Sequence, residues 1–302
     1  MNYCATTFKR GTGLGNRLFP WARCIIFSHK HQTPMLMPYW FHIRKGALIK
    51  GGIDYSTALK KILIYNNFEN YGQYINGLRR LFILTTFRKV NELNQNYSES
   101  SNRELYLFSG DSAFFNGLHE YHTLIKTSLE QDLHHSLRKF IANTVVSPIV
   151  MNIRRGKDFK DAVVESDFMN KGAIRTPLVW FIETLKQIRS MMNADIPALI
   201  ISEGDRNDFK DLLTLPNVIL SKSPSAITDL ILLSKAKIIL GSGGSSFTAW
   251  GSFLSKASTI TIPGQSLQWF NVSNNQDEHI VTTFDPLNPD IELLKDITSK
   301  LA

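Results

Sequence analysis

Cysteine is scarce in this chain of 302 residues: only Cys4 and Cys24 are present, each among apolar neighbours. No histidine stands near them at metal-ligand spacing, so a disulfide scaffold and a Cys/His zinc site are excluded and buried free thiols are expected. Long hydrophobic runs are missing as well, and nothing approaches the ~20 apolar residues that span a bilayer. The opening MNYCATTFKRGTGLG has neither the apolar segment nor the small-residue cleavage site of a secretory leader, so a cytosolic protein is expected. Low-complexity segments are absent too, and 43% hydrophobic with 20% charged residues is the composition of a folded globular protein.

Acidic residues are short in one half only. Residues 1–145 hold 18 Lys and Arg against 9 Asp and Glu, while residues 146–302 hold 16 against 17. The net charge of +8 therefore rests wholly in the first half. Such an excess points to an anionic neighbour, a membrane surface or a phosphate-bearing substrate; an ordinary lysine-rich soluble surface is the bland alternative. No run of five basic residues occurs, and nucleic acid is not expected as a partner.

From about residue 145 the pattern is regular. Apolar, β-branched runs at VVSPIVMNI, PALIISE, NVILSK, KIILGSG and STITIP read as strands. Segments of helical period fall between them, at PLVWFIETLKQIRSMM, DFKDLLTL, SAITDLILLSKA and SSFTAWGSFLSKA. This alternation predicts a doubly wound parallel sheet, with its binding edge at the carboxyl ends of the strands. The first half is less regular. CATTFK reads as a strand, WARCIIFSHKH as a helix, TPMLMPYWF as a second strand, and residues 50–140 as mostly helical, with an exposed loop at 96–103. The expected domains are 1–146 and 147–302.

Three stretches carry chemistry. In GTGLGNRLF the glycines allow either a tight strand-to-helix turn or close approach of a ligand to backbone N–H groups; the spacing is not that of the dinucleotide fingerprint. In MNIRRG, at 151–156, a strand delivers Arg154 and Arg155 to the sheet's carboxyl edge, where guanidinium grips phosphate in bidentate fashion or simply decorates a strand end. FHIRKG, at 41–46, repeats that pattern. In GSGGSSF, small residues precede a helix, so N–H groups, hydroxyls and the positive helix end converge on an anion. A plain helix cap accounts for only one of those serines.

Taken together, the sequence resembles the bacterial α-1,2-fucosyltransferases and, more loosely, the wider group with protein O-fucosyltransferases and the nodulation fucosyltransferase. The likeness lies in GLGNRLF at 13–19, NIRRG at 152–156 with Asp158 and Phe159, and SSFTAWG at 245–251, which in the family read approximately GLGNQLF, HxRRGDY and SSFSWWG. Asn152 replaces the family histidine, Lys157 is inserted before Asp158, and Gly244 stands where asparagine is usual. The resemblance implies an α/β fold of GT-B type: two Rossmann-like domains facing each other across a cleft, the first on the acceptor side and the second binding the donor. It implies an inverting transfer from GDP-fucose or another GDP-sugar to a glycan hydroxyl in surface polysaccharide synthesis. Another nucleotide-sugar hexosyltransferase and a non-catalytic glycan or nucleotide binder are the rival readings.

The resemblance also makes Arg154–Gly156 the phosphate grip and leaves 41–46 as its structural echo. Arg154 and Asp158 are then the catalytic candidates, Asp158 as base, with Asp161 and Glu165 on the same loop. Gly13, Gly15, Asn16, Asn152, Arg155, Asp229, Ser245, Ser246 and Phe247 are the donor-binding candidates, Asp229 toward the donor's base. No D-x-D triplet, the usual metal-binding carboxylate pair of glycosyltransferases, occurs in the chain, so neither a metal nor a cofactor is expected. An oligosaccharide or lipid-linked glycan is the expected acceptor. Peripheral membrane contact is expected through the basic first half, where PYWFHIRKG sets Tyr39, Trp40 and Phe41 beside Arg44 and Lys45.

Overall fold

The computed structural model describes residues 1–9, 11–38, 40, 74–92, 103–111, 113–156, 159–162, 167 and 174–301. The chain divides into two compact units, Met1–Ala142 with Pro224–Ile227, and Asn143–Ser223 with Thr228–Ala302. Each unit is built on its own parallel sheet. No described helix is long and apolar enough to cross a membrane.

In the first unit β1 (Tyr3–Thr7) is central. It pairs on one side with β2 (Met35–Leu36), which carries β3 (Tyr74–Ile75) at the edge. On its other side lies β5 (Glu104–Ser109), followed by β4 (Arg88–Asn91) at the far edge. The helix α1 (Leu14–Lys30) connects β1 to β2 and starts seven residues before the stretch from which the sequence predicts it. Leu14, Leu18, Trp21 and Ile25 are buried at helical spacing, and this apolar stripe carries the helix straight through Pro20. Phe27 then packs on Tyr106 and Phe108 of β5.

The strands β4 and β5 fall where the sequence reads as helical. Two charged residues hide them: Glu104 opens β5 yet is buried, taking a hydrogen bond from the Tyr106 hydroxyl at 2.6 Å and pairing with Arg88 of β4. Three further α-helices are described in this unit, α2 (Gly77–Thr86), α3 (His122–Asp132) and α4 (His135–Ala142), with a 3-10 turn at His119–Tyr121 leading into α3. Ile83 of α2 packs with Tyr3, Ala5, Leu36 and Leu105 on the sheet. At the end of α3 the buried Asp132 accepts a hydrogen bond from the Tyr74 hydroxyl. Cys4 and Cys24 are both buried free thiols, and burial pushes the Cys24 thiol well above its ordinary value.

The second unit follows the predicted alternation. Its strands are β6 (Ile149–Asn152), β7 (Ala198–Ile201), β8 (Val218–Leu220), β9 (Ile238–Gly241), β10 (Ser258–Thr261) and β11 (Val281–Thr283). Their order across the sheet is β11-β10-β9-β6-β7-β8, all parallel. Alternate residues of these strands face opposite ways. Ile149, Met151, Ala198, Ile200, Ile238 and Leu240 pack with Trp180, Phe181, Leu185 and Ile188 of α5 (Leu178–Met192) and with Leu294 and Ile297 of α8 (Ile291–Ser299). Asn152 faces the other way, onto α7 (Ser246–Ser255), beside which lies α6 (Ala226–Leu233). The sheet is covered on both faces, as expected.

One predicted helix is not there. DFKDLLTL forms two separate turns of 3-10 helix, Arg206–Phe209 and Leu212–Thr214. Acidic side chains and local hydroxyls compete for the backbone: the Asp208 carboxylate accepts from the Asp205 N–H at 2.8 Å, and the Thr214 hydroxyl donates to the Asp211 carbonyl at 2.7 Å. Pro216 follows at once and stops any continuation.

Candidate functional site

The topology itself marks a position. From β6 the chain moves outward through β7 and β8, then returns to place β9 and β10 on the other side of β6. The strand order therefore reverses between β6 and β9, and ligands of open α/β sheets bind outside the carboxyl ends of the strands at such a point. Asn152 and Gly241 stand opposite each other there. The two loops that follow carry Arg154 on one side and Ser242 to Ser245 on the other.

Short hydrogen bonds fasten these loops together. The Ser242 N–H donates to the Asn152 carbonyl at 2.9 Å, and the Arg154 N–H donates to the Ser242 hydroxyl oxygen at 3.0 Å. Asn152 is buried and its amide donates to the Thr248 hydroxyl at 2.7 Å, which in turn donates to the Ser242 carbonyl at 3.1 Å. Asn152 thus ties β6 to α7, a role that suits a neutral amide in a dry setting. Ser245 caps α7, its hydroxyl oxygen accepting from the Thr248 N–H. Ser246 and Phe247 are half-buried in the first turn, where the helix end is positive.

Gly243 in this loop has a packing reason, and Gly244 a conformational one, with φ +65. A Cβ on Gly243 would lie 2.2 Å from the Gln265 Cβ and 2.3 Å from its backbone carbonyl oxygen. Gly243→Ala is expected to lower stability by about 1–3 kcal/mol through overpacking. A fall in the urea midpoint checks this, and an unchanged midpoint refutes it.

Arg154 and Arg155 point into different surroundings. The Arg154 Nε lies 3.1 Å from Glu203, and its guanidinium sits 4.9 Å from the centre of the Phe159 ring. Arg155 is partly buried against the loop of Gly204 and Asp208. Burial lowers its pKa, the Arg175 guanidinium lowers it further, and Asp208, Asp161 and Glu203 oppose the shift.

Two residues that the sequence did not single out organise this turn. The Glu203 carboxylate, just beyond β7, accepts from the N–H groups of Arg155 at 3.2 Å and Gly156 at 2.6 Å as well as pairing with Arg154. Arg175 donates to the carbonyls of Arg155 and Gly156 and pairs with Asp161 at 3.1 Å. A lone acid ending the apolar run PALIISE was the available signal for Glu203. Arg175 had none, because it lies twenty residues from the carbonyl it binds.

Of the remaining candidates, Asp229 lies on α6, where Ser221 and Ser223 donate to its Oδ1 at 3.1 and 2.5 Å. Asp161 is exposed and paired with Arg175. Asp158 and Glu165 lie outside the described residues. Gly13, Gly15 and Asn16 belong to the first unit and form the start of α1, with Gly13 as its cap. They follow β1, and the strand order of that sheet also reverses, between β1 and β5. In this stretch the conformation that needs glycine is at Gly11, with φ +84; Gly13, at φ −69, is open to any residue. The structure thus holds Arg154, Arg155, Asn152, Ser245, Ser246 and Phe247 at the switch point of one unit, and Gly13, Gly15 and Asn16 at that of the other.

No protein-family model matches the chain, and no curated protein matches it. Solved structures do. The chain is similar to NodZ alpha-1,6-fucosyltransferase co-crystallised with GDP, with a TM-score of 0.54 and 11% identity over 87% of this chain and 95% of that one. Fucosyltransferase NodZ from Bradyrhizobium gives 0.54 and 12% identity, covering 87% of this chain and 97% of that one. NodZ soaked with GDP-fucose gives 0.53 and 12% identity, over 87% and 96%. The fold is accordingly the GT-B fold of these fucosyltransferases, with two Rossmann-like units, as the sequence predicts.

Proposed function

We propose that the chain is a glycosyltransferase that moves a deoxyhexose from a GDP-sugar, GDP-fucose first among them, to a glycan hydroxyl. We further propose the α-1,2-fucosyltransferase-like, inverting form of that reaction in surface polysaccharide synthesis. What supports the reading is the β6/β9 switch point, where the Arg154 N–H is bonded to Ser242 in the loop that leads into α7, in a fold shared with NodZ. The NodZ structures crystallised with GDP and soaked with GDP-fucose show what that relative takes, and the same donor class suits a switch point with Arg154 on one loop and the α7 N-terminus at the end of the other.

In this reading the acceptor oxygen attacks the anomeric carbon in line. The bond from that carbon to the diphosphate oxygen breaks, GDP leaves with the electron pair, and the acceptor proton passes to a carboxylate, Asp158 in the proposal. Arg154 and the α7 N-terminus stabilise charge growing on the departing diphosphate. Asp229, its carboxylate steadied by Ser221 and Ser223, serves the donor's base. Residues 1–146 receive the acceptor and residues 147–302 the donor.

Thermal shift against a donor panel tests the assignment without an acceptor. A donor at ~100 times its Kd adds ~2.7 kcal/mol of stability. GDP-fucose should raise the melting temperature and UDP-sugars should not. Stabilisation by GDP-mannose alone points to the hexosyltransferase reading, stabilisation without GDP release to a binding module, and no response to any GDP-sugar refutes the proposal. Where transfer is measured, rates with and without EDTA should agree, because the chain has no D-x-D triplet and, in this reading, Arg154 takes the part a metal would play. A strict requirement for Mg²⁺ or Mn²⁺ contradicts this.

A further inference from the structure

Helix α2 is turned out unlike an ordinary covering helix. Its inner side does the expected work, with Ile83 buried and Leu84 partly buried against the first sheet. The outer side of such a helix is normally polar. Here it presents Leu78, Leu81 and Phe82, exposed to 86%, 58% and 61%. Residues three and four apart share one face, so these three form a single stripe. Thr85 extends it, and its hydroxyl is bonded back to the carbonyls of Leu81 and Phe82 at 3.0 Å each.

Cations border this stripe. Arg79 is exposed on the helix, and Arg88 and Lys89 are exposed directly after it on the edge strand β4, Arg88 being paired with the buried Glu104. Residues 74–91 include no acid. An apolar stripe flanked by Arg and Lys is the surface that settles into the headgroup boundary of an anionic bilayer. A second copy of this chain is a poor occupant by charge, because it brings the same positive excess of its own residues 1–145.

We propose that α2 docks the protein on an anionic lipid surface. Leu78, Leu81 and Phe82 enter the boundary with the acyl chains, and Arg79 and Lys89 meet the headgroup phosphates. This site is separate from the membrane contact expected at PYWFHIRKG. There Trp40 is buried, 5.1 Å from the Phe8 ring, with its carbonyl taken by Arg17, while Tyr39, Phe41, Arg44 and Lys45 lie outside the described residues. The inference stands independently of the donor reading.

Co-sedimentation of the full chain with vesicles tests it, using phosphatidylcholine alone and phosphatidylcholine mixed with phosphatidylserine. Wild-type protein should bind the mixed vesicles at low salt and release as salt rises. Leu81→Ser/Phe82→Ser should weaken binding about tenfold or more, since each apolar side chain withdrawn from water is worth that order. Lys89→Glu, which leaves the Arg88–Glu104 pair intact, should weaken binding to the mixed vesicles and flatten its salt dependence. Both variants should melt like wild type, the altered residues being exposed; Leu78→Ser substitutes if the apolar pair fails to fold. No binding to mixed vesicles at low salt overturns the proposal, as does equal binding by wild type and the apolar variants. A wild-type dimer that Leu81→Ser/Phe82→Ser dissociates would overturn it too, by showing that a second copy covers the stripe.

Discussion

Replacing Arg154 by alanine is expected to cut sugar transfer by about 10²–10³, the usual loss when one preorganised electrostatic donor is removed from a transition state. The fold should survive. Glu203 keeps its bonds from the Arg155 and Gly156 N–H groups, and the Arg154 N–H keeps its bond to Ser242 whatever the side chain. Arg154→Lys should recover little, because an ammonium on a flexible stem does not reproduce the planar fork. The check is kcat with a GDP-sugar beside the melting temperature of each variant. Near wild-type turnover in Arg154→Ala would show that the leaving group is served elsewhere.

The second large effect is a pH dependence seated far from that chemistry. Burial raises the Asp132 carboxyl from its ordinary range to about 7, although the Tyr74 hydroxyl bonded to it pulls the other way. Tyr74 itself is pushed upward by burial and by the neighbouring Asp132 charge, so it stays a donor. Between roughly pH 4 and 7 the folded protein holds a proton here that the unfolded chain has given up, and stability must fall as pH rises. A raised carboxyl therefore favours the fold at low pH, the reverse of a salt-bridged aspartate. A shift of this size corresponds to ~4 kcal/mol at most, at about 1.4 kcal/mol per pH unit. Asp132→Asn keeps a carbonyl for the Tyr74 hydroxyl and removes the titration. Its urea midpoint should pass that of wild type by pH 8 and lose the advantage near pH 4.5. A midpoint difference constant across that range would contradict the shift.

The sequence was most legible where one principle governs. Five strands of the second unit were readable because each is a short apolar run rich in β-branched residues, and four of them are buried on both faces of the sheet. Legibility failed where a charge is hidden by a partner distant in sequence. ELYLFS did not read as a central strand because only the fold brings Arg88 and Tyr106 to Glu104. At the site, Arg154 and Ser245 were visible as a strand end and a helix start. Asn152, by contrast, was assigned to the donor on resemblance, and its amide proves to bridge β6 and α7. Glu203 and Arg175 organise the arginine turn through backbone groups, and backbone bonding of that kind leaves almost no trace in residue order.

Both sheets put the first strand of their unit in the middle, and this has a consequence for synthesis. Tyr3 pairs with Leu105, and Ile149 with Ile238, so each central strand must wait for a neighbour about ninety or a hundred residues downstream. At a ribosomal pace of ~5–20 residues per second the wait is roughly 5–20 s. For that interval β1, and later β6, leaves the exit tunnel with one flank of backbone donors and acceptors unpaired. A nascent chain stalled before residue 238 would hold β6 in that state indefinitely, a strand edge of Ile149, Val150 and Met151 open to any extended segment it meets.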